Sequence, residues 1–337
     1  MTSPEQEGRA ENSAPGKADQ QPTITIGGTK LPADLPSGRE LLPGQRADLR
    51  VLDVATGESE LVLSSTERLI EAPQFHPDGR HLVVNGDGVL LRVDLQGDRT
   101  PTVVPVTGLP PVNNDHVVTP DGLWHIASAV DGHLHRVPWN GGEAVRVTVD
   151  KEPERCFRHF LHGISPDGRR LTYVGVEMAD GDEWGRRAVW TLDLGTGAEV
   201  QVGDGYSPAD GPEFSPDGKA LYFNSEFRST IEGHAQLFRR DEVSGTVEQL
   251  TGDERVNWFP HPSPDGAHVA YLSYPAGTVG HPADLPVELR LLTLPRSAPR
   301  TLVALRGGQG TINVNSWSPD SRRIAYVEYP ISARKVP

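Results

Sequence analysis

Short runs of alternating apolar and polar residues recur along the chain, and turn-forming residues separate them. Segments such as HLVVNG, KALYFNSE and RRIAYVEY combine β-branched, aromatic and small residues over six to eight positions. That pattern is typical of β-strands. Helical periodicity is scarce throughout the sequence. We therefore expect an all-β fold.

A four-residue motif with Pro-Asp at its centre precedes each of six such strands. Its copies begin at His76, Thr119, Ser165, Ser215, Ser263 and Ser318, 43 to 55 residues apart. Pro presets the second position of a type I turn, and Gly supplies the positive φ of the fourth. Only the last copy lacks Gly, because Ser321 takes its place. The motif predicts a tight hairpin, so its six aspartates are structural rather than catalytic.

The spacing of the motif predicts the architecture. A period of roughly 40–50 residues marks a repeat fold, and four strands fit in each repeat here. The sixth copy is followed by too little chain for a whole unit, but strands are predicted at 47–54 and 59–65. We predict a six-bladed β-propeller over 23–337, closed by a blade shared between the two ends of the chain. Residues 1–22 are expected to form a disordered lead-in.

Composition narrows the cellular setting and the partners. The chain has one cysteine, no apolar leader and no run long enough to span a membrane. We therefore expect a cytoplasmic protein without a membrane partner. The formal net charge of −14 makes a nucleic-acid partner unfavourable, because a phosphate backbone would be repelled.

Three copies of the repeat carry a family resemblance: FSPDGKALYF, ISPDGRRLTYV and WSPDSRRIAYV. They resemble the Pro-Asp repeat of TolB-like β-propellers, and the resemblance covers about residues 40–332. It implies the fold rather than an activity, because the shared residues are turn and core positions. The repeat is also similar, more loosely, to that of oligogalacturonate lyases. That second resemblance implies a metal held by His and Gln near the propeller axis.

Propeller geometry separates the two faces of the ring. Each innermost strand runs into its hairpin, so the starts of these strands lie on the opposite face, around an axial mouth. Unusually polar residues occupy these starts and the neighbouring loops. Those predicted to bind a ligand are Asn114, Asp115, Arg158, Trp258, His281, Asn313 and Asn315. Trp184 and Trp258 are suited to stack on a sugar, although packing between blades is the more common role for either one taken alone.

The mouth also contains candidates for chemistry. Imidazole and carboxamide side chains suit Mn, Fe, Ni or Zn, and the predicted metal ligands are His116, His162, His261 and Gln309. Asp210, Glu213 and His162 are predicted to move protons in such a site. The alternative is that these histidines are structural, each satisfied by hydrogen bonds in the core.

Three functions fit these observations. The first is a small polar ligand, carbohydrate-like or anionic, bound at the mouth, with metal-assisted lyase or hydrolase chemistry if a metal is present. The second is a non-enzymatic scaffold whose protein partner plugs the mouth. The third is a peptide-recognition module without chemistry. The His, Asp, Glu and Asn content of the mouth favours the first, since interaction surfaces are richer in aromatic, Met and Arg residues.

Overall fold

The computed structural model describes residues 23–26, 29–32, 39–203, 208–295 and 297–332. The predicted lead-in at 1–22 lies outside them. Within this part of the chain the one helix is a 3₁₀ turn at Pro153–Arg155, and no helix is long and apolar enough to cross a membrane. The remainder is β-structure, as the alternating pattern predicts.

Six blades of antiparallel strands form the ring, and a small hairpin precedes them, formed by β1 (Thr23–Ile26) and β2 (Thr29–Pro32). The first blade contains β5 (Glu71–Phe75), β6 (His81–Gly86), β7 (Val89–Asp94) and β8 (Thr102–Val103). The second contains β10 (Val112–Val118), β11 (Trp124–Ala129), β12 (Leu134–Pro138) and β14 (Val145–Arg146). The third contains β15 (Arg158–Ile164), β16 (Arg170–Ala179), β17 (Asp182–Asp193) and β18 (Glu199–Gln201).

The remaining three blades complete the ring. The fourth contains β19 (Ala209–Phe214), β20 (Ala220–Ser225), β21 (Gln236–Asp241) and β22 (Val247–Gln249). The fifth contains β23 (Val256–Pro262), β24 (His268–Tyr274), β25 (Leu285–Thr293) and β26 (Arg300–Gly307). The sixth joins β27 (Arg323–Glu328) to β3 (Ala47–Asp53) and β4 (Ser59–Ser65), with its innermost segment bridged to β27 at Trp317 and Ile324.

The shared sixth blade closes the ring as predicted. β27 pairs antiparallel with β3 over the whole strand, from Arg323 opposite Asp53 to Glu328 opposite Asp48. β3 then pairs with β4. The two ends of the propeller are thus held by a ladder of backbone hydrogen bonds, and the ring has no open sheet edge at its seam.

The Pro-Asp hairpins also have the predicted geometry. In the first copy the Gly79 amide donates to the His76 carbonyl at 2.9 Å, and Gly79 has a φ of +67°. Ser321, which replaces Gly in the last copy, keeps the left-handed conformation with a φ of +60°. Its hydroxyl accepts a hydrogen bond from the Asp265 amide of the preceding hairpin. A hydrogen bond to the neighbouring hairpin therefore accompanies the left-handed backbone of Ser321.

One predicted strand is interrupted. The segment 102–108 forms β8 and a separate strand β9 (Val106–Thr107), which pairs in parallel with β13 (Gly142–Glu143). Pro105 lies between the two pieces and has no amide hydrogen to continue the ladder. The Pro105 carbonyl instead accepts a hydrogen bond from the Gly142 amide. The chain turns there toward the second blade.

β-bulges shift the register within the innermost strand in all five blades where that strand is regular. Three of them share a residue of positive φ followed by proline: Ala72-Pro73, Gly211-Pro212 and Phe259-Pro260. A bulge adds one residue to one strand and so changes which side chain points inward. These bulges lie where the chain begins to line the axis, and they determine which polar residues reach it.

Candidate functional site

A cavity of about 330 Å³ lies at the axis, on the face opposite the Pro-Asp hairpins. We call it the mouth cavity. The innermost strand or segment of each of the six blades contributes to its wall, together with Arg39 from the chain that precedes the sixth blade. Its polar lining residues include Glu71, Asn113, Asn114, Asp115, His162, Asp210, His281, Gln309 and Asn313. The starts of the innermost strands therefore meet around this cavity, as the hairpin positions predict.

A buried ion pair forms the centre of the mouth cavity. His162 Nε2 lies 3.0 Å from an Asp210 carboxylate oxygen, and His162 Nδ1 donates to the Asn313 carbonyl at 3.2 Å. Burial alone would lower the pKa of His162, but Asp210, with Asp115 nearby, outweighs it and raises the pKa to about 9. His162 is thus an imidazolium at neutral pH. Burial would raise the pKa of Asp210, but contact with His162 lowers it below its ordinary value.

Asp115 is a second carboxyl group in the mouth cavity, and it titrates differently. Burial raises its pKa to about 7, although the nearby His162 acts in the opposite direction. Asn113 Nδ2 donates to Asp115 Oδ2 at 2.9 Å, and the Asp115 amide donates back to Asn113 Oδ1. The bulge in β10 brings Asn113 and Asp115 close enough for these two reciprocal hydrogen bonds. Near neutral pH, Asp115 exists in both protonation states and can donate or accept a hydrogen bond.

The opposite wall combines a neutral imidazole with an arginine cluster. His281 Nδ1 donates to Gln309 Oε1 at 2.5 Å, and burial lowers the pKa of His281. Its Nε2 therefore carries a lone pair, 3.8 Å from Asp210. Arg39 pairs with Glu71 at 3.2 Å and with Asp284 at 3.1 Å, while its guanidinium lies over the Tyr329 ring. The single positive charge of Arg39 is thus shared between two carboxylates.

Aromatic rings line one side of the mouth cavity. Phe160 and Trp184 have ring centroids 5.6 Å apart, and the Arg158 guanidinium lies 4.3 Å from the Trp184 centroid. Trp184 is 49% exposed. Phe259 forms part of the lining as well, because its left-handed conformation directs its ring there. An exposed indole beside polar groups is the arrangement that suits the apolar face of a sugar ring.

Most of the predicted ligand-binding residues lie in or beside the mouth cavity. Those in its lining are Asn114, Asp115, His281 and Asn313. Arg158 lies next to it through Trp184. Asn315 instead lines a second cavity of about 400 Å³ on the hairpin face, which all six hairpin prolines border. Trp258 lines neither cavity and is buried, because the bulge at Phe259 gives the inward position to its neighbour.

The residues predicted to move protons are divided between the two faces. His162 and Asp210 meet in the mouth cavity. Glu213 lines the hairpin-face cavity instead, where its carboxylate accepts from His261 Nδ1 at 2.5 Å and from Asn315 Nδ2 at 2.8 Å. The bulge between Asp210 and Glu213 sends these two carboxylates toward opposite ends of the axis.

The four residues predicted as metal ligands do not come together. His162 and Gln309 line the mouth cavity, whereas His116 and His261 do not. Both ring nitrogens of His261 face oxygen acceptors, on Glu213 and Ile312, and both nitrogens of His162 do the same. An imidazole that donates from both nitrogens has no lone pair for a metal. Burial lowers the pKa of His116 to about 4, which suits a neutral core histidine. The four predicted ligands therefore do not form one metal site.

A different group of side chains meets the distance requirement for a metal ion. Within the ranges that the structure describes, three metal-ligating side chains approach one another within 4.8 Å only at His76, Asp78 and His81. This group lies on the first hairpin, on the face opposite the mouth cavity. Neither His76 nor His81 is among the metal ligands that the sequence predicts.

Several lining residues of the mouth cavity had no role in the sequence predictions. They are Arg39, Glu71, Asn113, Phe160, Arg187 and Phe259. Glu71, Asp210 and Trp258 each stand two residues before a proline at the start of an innermost strand. The recurring proline two residues further on is the sequence signal that marks the bulge in these three strands. Arg39 lies outside the repeat, so no periodic signal pointed to it.

Comparison with known proteins supports the fold assignment. No family model matches the sequence. A protein of Agrobacterium fabrum named Uncharacterized protein Atu1656 is 35% identical over 288 residues, which cover 84% of this chain and 92% of that protein. A solved structure from Agrobacterium tumefaciens, assigned as a TolB, is 34% identical with a TM-score of 0.76, over 85% of this chain and 99% of the other.

More distant structures share the fold. TolB from Acinetobacter baumannii is 17% identical with a TM-score of 0.52, over 86% of this chain and 57% of that one. An oligogalacturonate lyase in complex with manganese is 14% identical with a TM-score of 0.50, over 77% of this chain and 67% of the other. These likenesses concern architecture alone. The identity and coverage of the two Agrobacterium proteins, together with the hairpin repeat and the six-bladed ring, show that this chain belongs to the family of TolB-like β-propellers.

Proposed function

We propose that this propeller binds a small, neutral, carbohydrate-like ligand in the mouth cavity. The observation that carries the proposal is the joint lining of Trp184, the His162–Asp210 pair and the amides of Asn113, Asn114 and Asn313 around one cavity. A volume of about 330 Å³ falls within the range of roughly 300–1,000 Å³ of small-molecule sites. Polyhydroxylated molecules need this mixture of hydrogen-bonding groups and an aromatic face.

The charge balance favours a neutral ligand over an anionic one. The His162 imidazolium is already paired with Asp210, and Arg39 is held between Glu71 and Asp284. An anionic ligand would have to compete with these carboxylates for the two cations, and it would also approach Asp115. A hydroxyl group, by contrast, can donate to a carboxylate without displacing its partner.

Asp115 is the residue of the mouth cavity best suited to proton transfer. A pKa of about 7 lets it accept or release a proton at neutral pH. The neighbouring imidazolium of His162 would stabilise negative charge that develops on a bound molecule. No metal takes part in this proposal. Binding is the proposed function, and proton transfer by Asp115 is the chemistry that the cavity would add.

A charge series of disaccharides tests the proposal. Cellobiose, maltose and lactose are neutral, digalacturonic acid is anionic, and chitosan dimer is cationic. Each is titrated into the full-length protein by isothermal titration calorimetry. We expect at least one neutral disaccharide to bind, with digalacturonic acid binding more weakly or not at all. Absence of binding by every sugar, or a preference for digalacturonic acid, would contradict the proposal.

The same titration is repeated with an Asn114→Ala variant and with Leu123→Ala as the control. Asn114 lines the mouth cavity, while Leu123 is 61% exposed and does not. Binding should weaken in the first variant and stay unchanged in the second. Equal affinity in both would place the sugar outside the mouth cavity.

A further inference from the structure

The first hairpin differs from the other five at its first residue. Four copies begin with serine and one with threonine, and each of these hydroxyls donates to the carboxylate two residues later, as Ser165 does to Asp167 at 2.6 Å. The first copy has His76 in that position. Because histidine cannot reproduce the hydroxyl contact, the Asp78 carboxylate is left facing imidazole nitrogens instead.

The hydrogen bonds of His76 fix which nitrogen carries its lone pair. Nε2 lies 3.0 Å from the Gly122 carbonyl oxygen of the next hairpin, so Nε2 is a donor. Nδ1 lies 3.2 Å from the Asp78 amide, which donates to it. In this arrangement the lone pair of Nδ1 points into the first hairpin. The carboxylate oxygen Oδ2 of Asp78 lies only 3.0 Å from the same nitrogen.

A second imidazole meets the same oxygen. His81 Nδ1 lies 2.6 Å from Asp78 Oδ2. His76 is 11% exposed in its side chain, and His81 and Asp78 are 27% and 37% exposed, so the three ligand atoms form a recess open to solvent. The three ligand atoms lie within 4.8 Å of one another, close enough for one cation to contact all of them.

We propose that His76 Nδ1, Asp78 Oδ2 and His81 Nδ1 form a binding site for a divalent transition metal on the hairpin face of the propeller. Two imidazoles and one carboxylate are a donor set that suits zinc and its neighbours in the first row. The contact from His76 Nε2 to Gly122 is the kind of outer hydrogen bond that orients a ligating histidine. Solvent exposure leaves room for water to complete the coordination.

The fifth blade supplies an internal comparison. Its hairpin keeps the aspartate and the second histidine as Asp265 and His268, but it begins with Ser263. Ser263 Oγ donates to Asp265 at 2.6 Å, and His268 Nδ1 lies 3.1 Å from Thr293 Oγ1. Only two of the three donors are present, and the histidine faces another partner. His76 is therefore the residue that distinguishes the proposed site.

Zinc binding to the full-length, untagged protein tests the proposal after chelator treatment and dialysis. Calorimetry should show one high-affinity Zn²⁺ per chain. His76→Ser introduces the serine that begins four other hairpins. His81→Ala introduces the alanine that the fourth blade has at the equivalent position, Ala220. Each should weaken Zn²⁺ binding at least about tenfold, whereas His268→Ala should leave it unchanged.

Thermal unfolding provides the second readout. A ligand that binds only the native state raises the unfolding temperature, so Zn²⁺ should stabilise the wild type and the His268→Ala variant but not His76→Ser. The metal-free variants should unfold near the wild-type temperature, which separates loss of the site from loss of the fold. No zinc binding by the wild type, or equal affinity in wild type and His76→Ser, would overturn the proposal.

Discussion

The Nε2 atom of His162 lies 3.0 Å from a carboxylate oxygen of Asp210, and the two residues come from adjacent blades. This ion pair is buried at the propeller axis, where it contributes both to the polarity of the mouth cavity and to the junction between the third and fourth blades. A pair removed from water depends on each partner, because either one left alone would be an uncompensated buried charge.

The Asp210→Asn variant tests this dependence. Without the carboxylate, burial becomes the dominant influence on His162, so its pKa should fall from about 9 to below the ordinary value for histidine. The free energy of unfolding at pH 7 should fall by roughly 3–5 kcal/mol. Histidine resonances followed by NMR across pH give the first quantity, and urea unfolding gives the second.

Asp150→Asn is the matched control for that variant. Asp150 lies 3.2 Å from His133 in a similar contact, but its side chain is 74% exposed. Solvent screens such a pair, so its loss should change the stability far less than the loss of Asp210 does. An equally small loss in Asp210→Asn would show that the His162–Asp210 pair contributes little.

Protonation of Asp115 predicts a stability that falls as the pH rises. Its pKa in the folded protein is about 7, well above the ordinary value, so the native state holds a proton that the unfolded chain has already released. The corresponding stability is complete below about pH 4 and is lost as the pH rises through 7. His162, with a raised pKa of about 9, loses its contribution in the same direction at higher pH.

The Asp115→Asn variant should remove the part of this pH dependence that belongs to Asp115. Between pH 5 and pH 8, its free energy of unfolding should rise by on the order of 2 kcal/mol relative to that of the wild type. Urea unfolding at both pH values measures this difference. Asp98 is exposed and serves as the control, since Asp98→Asn should follow the wild-type curve. A difference between Asp115→Asn and wild type that does not change with pH would refute the assignment.

Two glycines at the same turn position are expected to respond differently to alanine. Both have positive φ, of +71° at Gly122 and +70° at Gly266. A Cβ at Gly266 would meet no atom within 4 Å, so Gly266→Ala should cost about 1 kcal/mol from backbone strain. A Cβ at Gly122 would lie 2.7 Å from His76 Nε2 and must displace that ring. Gly122→Ala should therefore unfold at the lower temperature of the two, and equal temperatures would contradict the position of His76.

Trp184 provides a prediction about ligand binding rather than stability. Because its side chain is half exposed beside the mouth cavity, Trp184→Ala should leave the unfolding temperature nearly unchanged. Loss of an aromatic contact worth up to about 1.5 kcal/mol should weaken sugar binding by roughly tenfold. Calorimetry with the neutral disaccharide that binds the wild type measures the effect. An unchanged affinity would remove Trp184 from the binding surface.

The fold could be predicted because its signals are local and repeated. Each Pro-Asp turn depends on residues within four positions, and their spacing sets the number of blades. The closure between β27 and β3 followed from counting the strands that remained at each end. Pro105 was the local exception, since it divided a predicted strand that its neighbours alone would have extended.

The site could be predicted only in part, because bulges decide which residues face the axis. The polar strand starts predict that His116 and Trp258 face the mouth, but both line neither cavity, because the strands are not regular there. The same strand starts include His162 and Asp115, which do line the mouth cavity. Arg39 reaches the mouth cavity from outside the repeat, where no periodicity exists to reveal it.

The central claim is that a neutral sugar binds in the mouth cavity, and NMR of histidine-labelled protein tests it most directly. Of the twelve histidines, His162 and His281 line that cavity, whereas His76 and His81 lie on the opposite face. Titration with the tightest-binding neutral disaccharide should shift the His162 and His281 resonances and leave those of His76 and His81 in place. Shifts confined to His76 and His81, or no shift at His162 and His281 at saturation, would contradict the account.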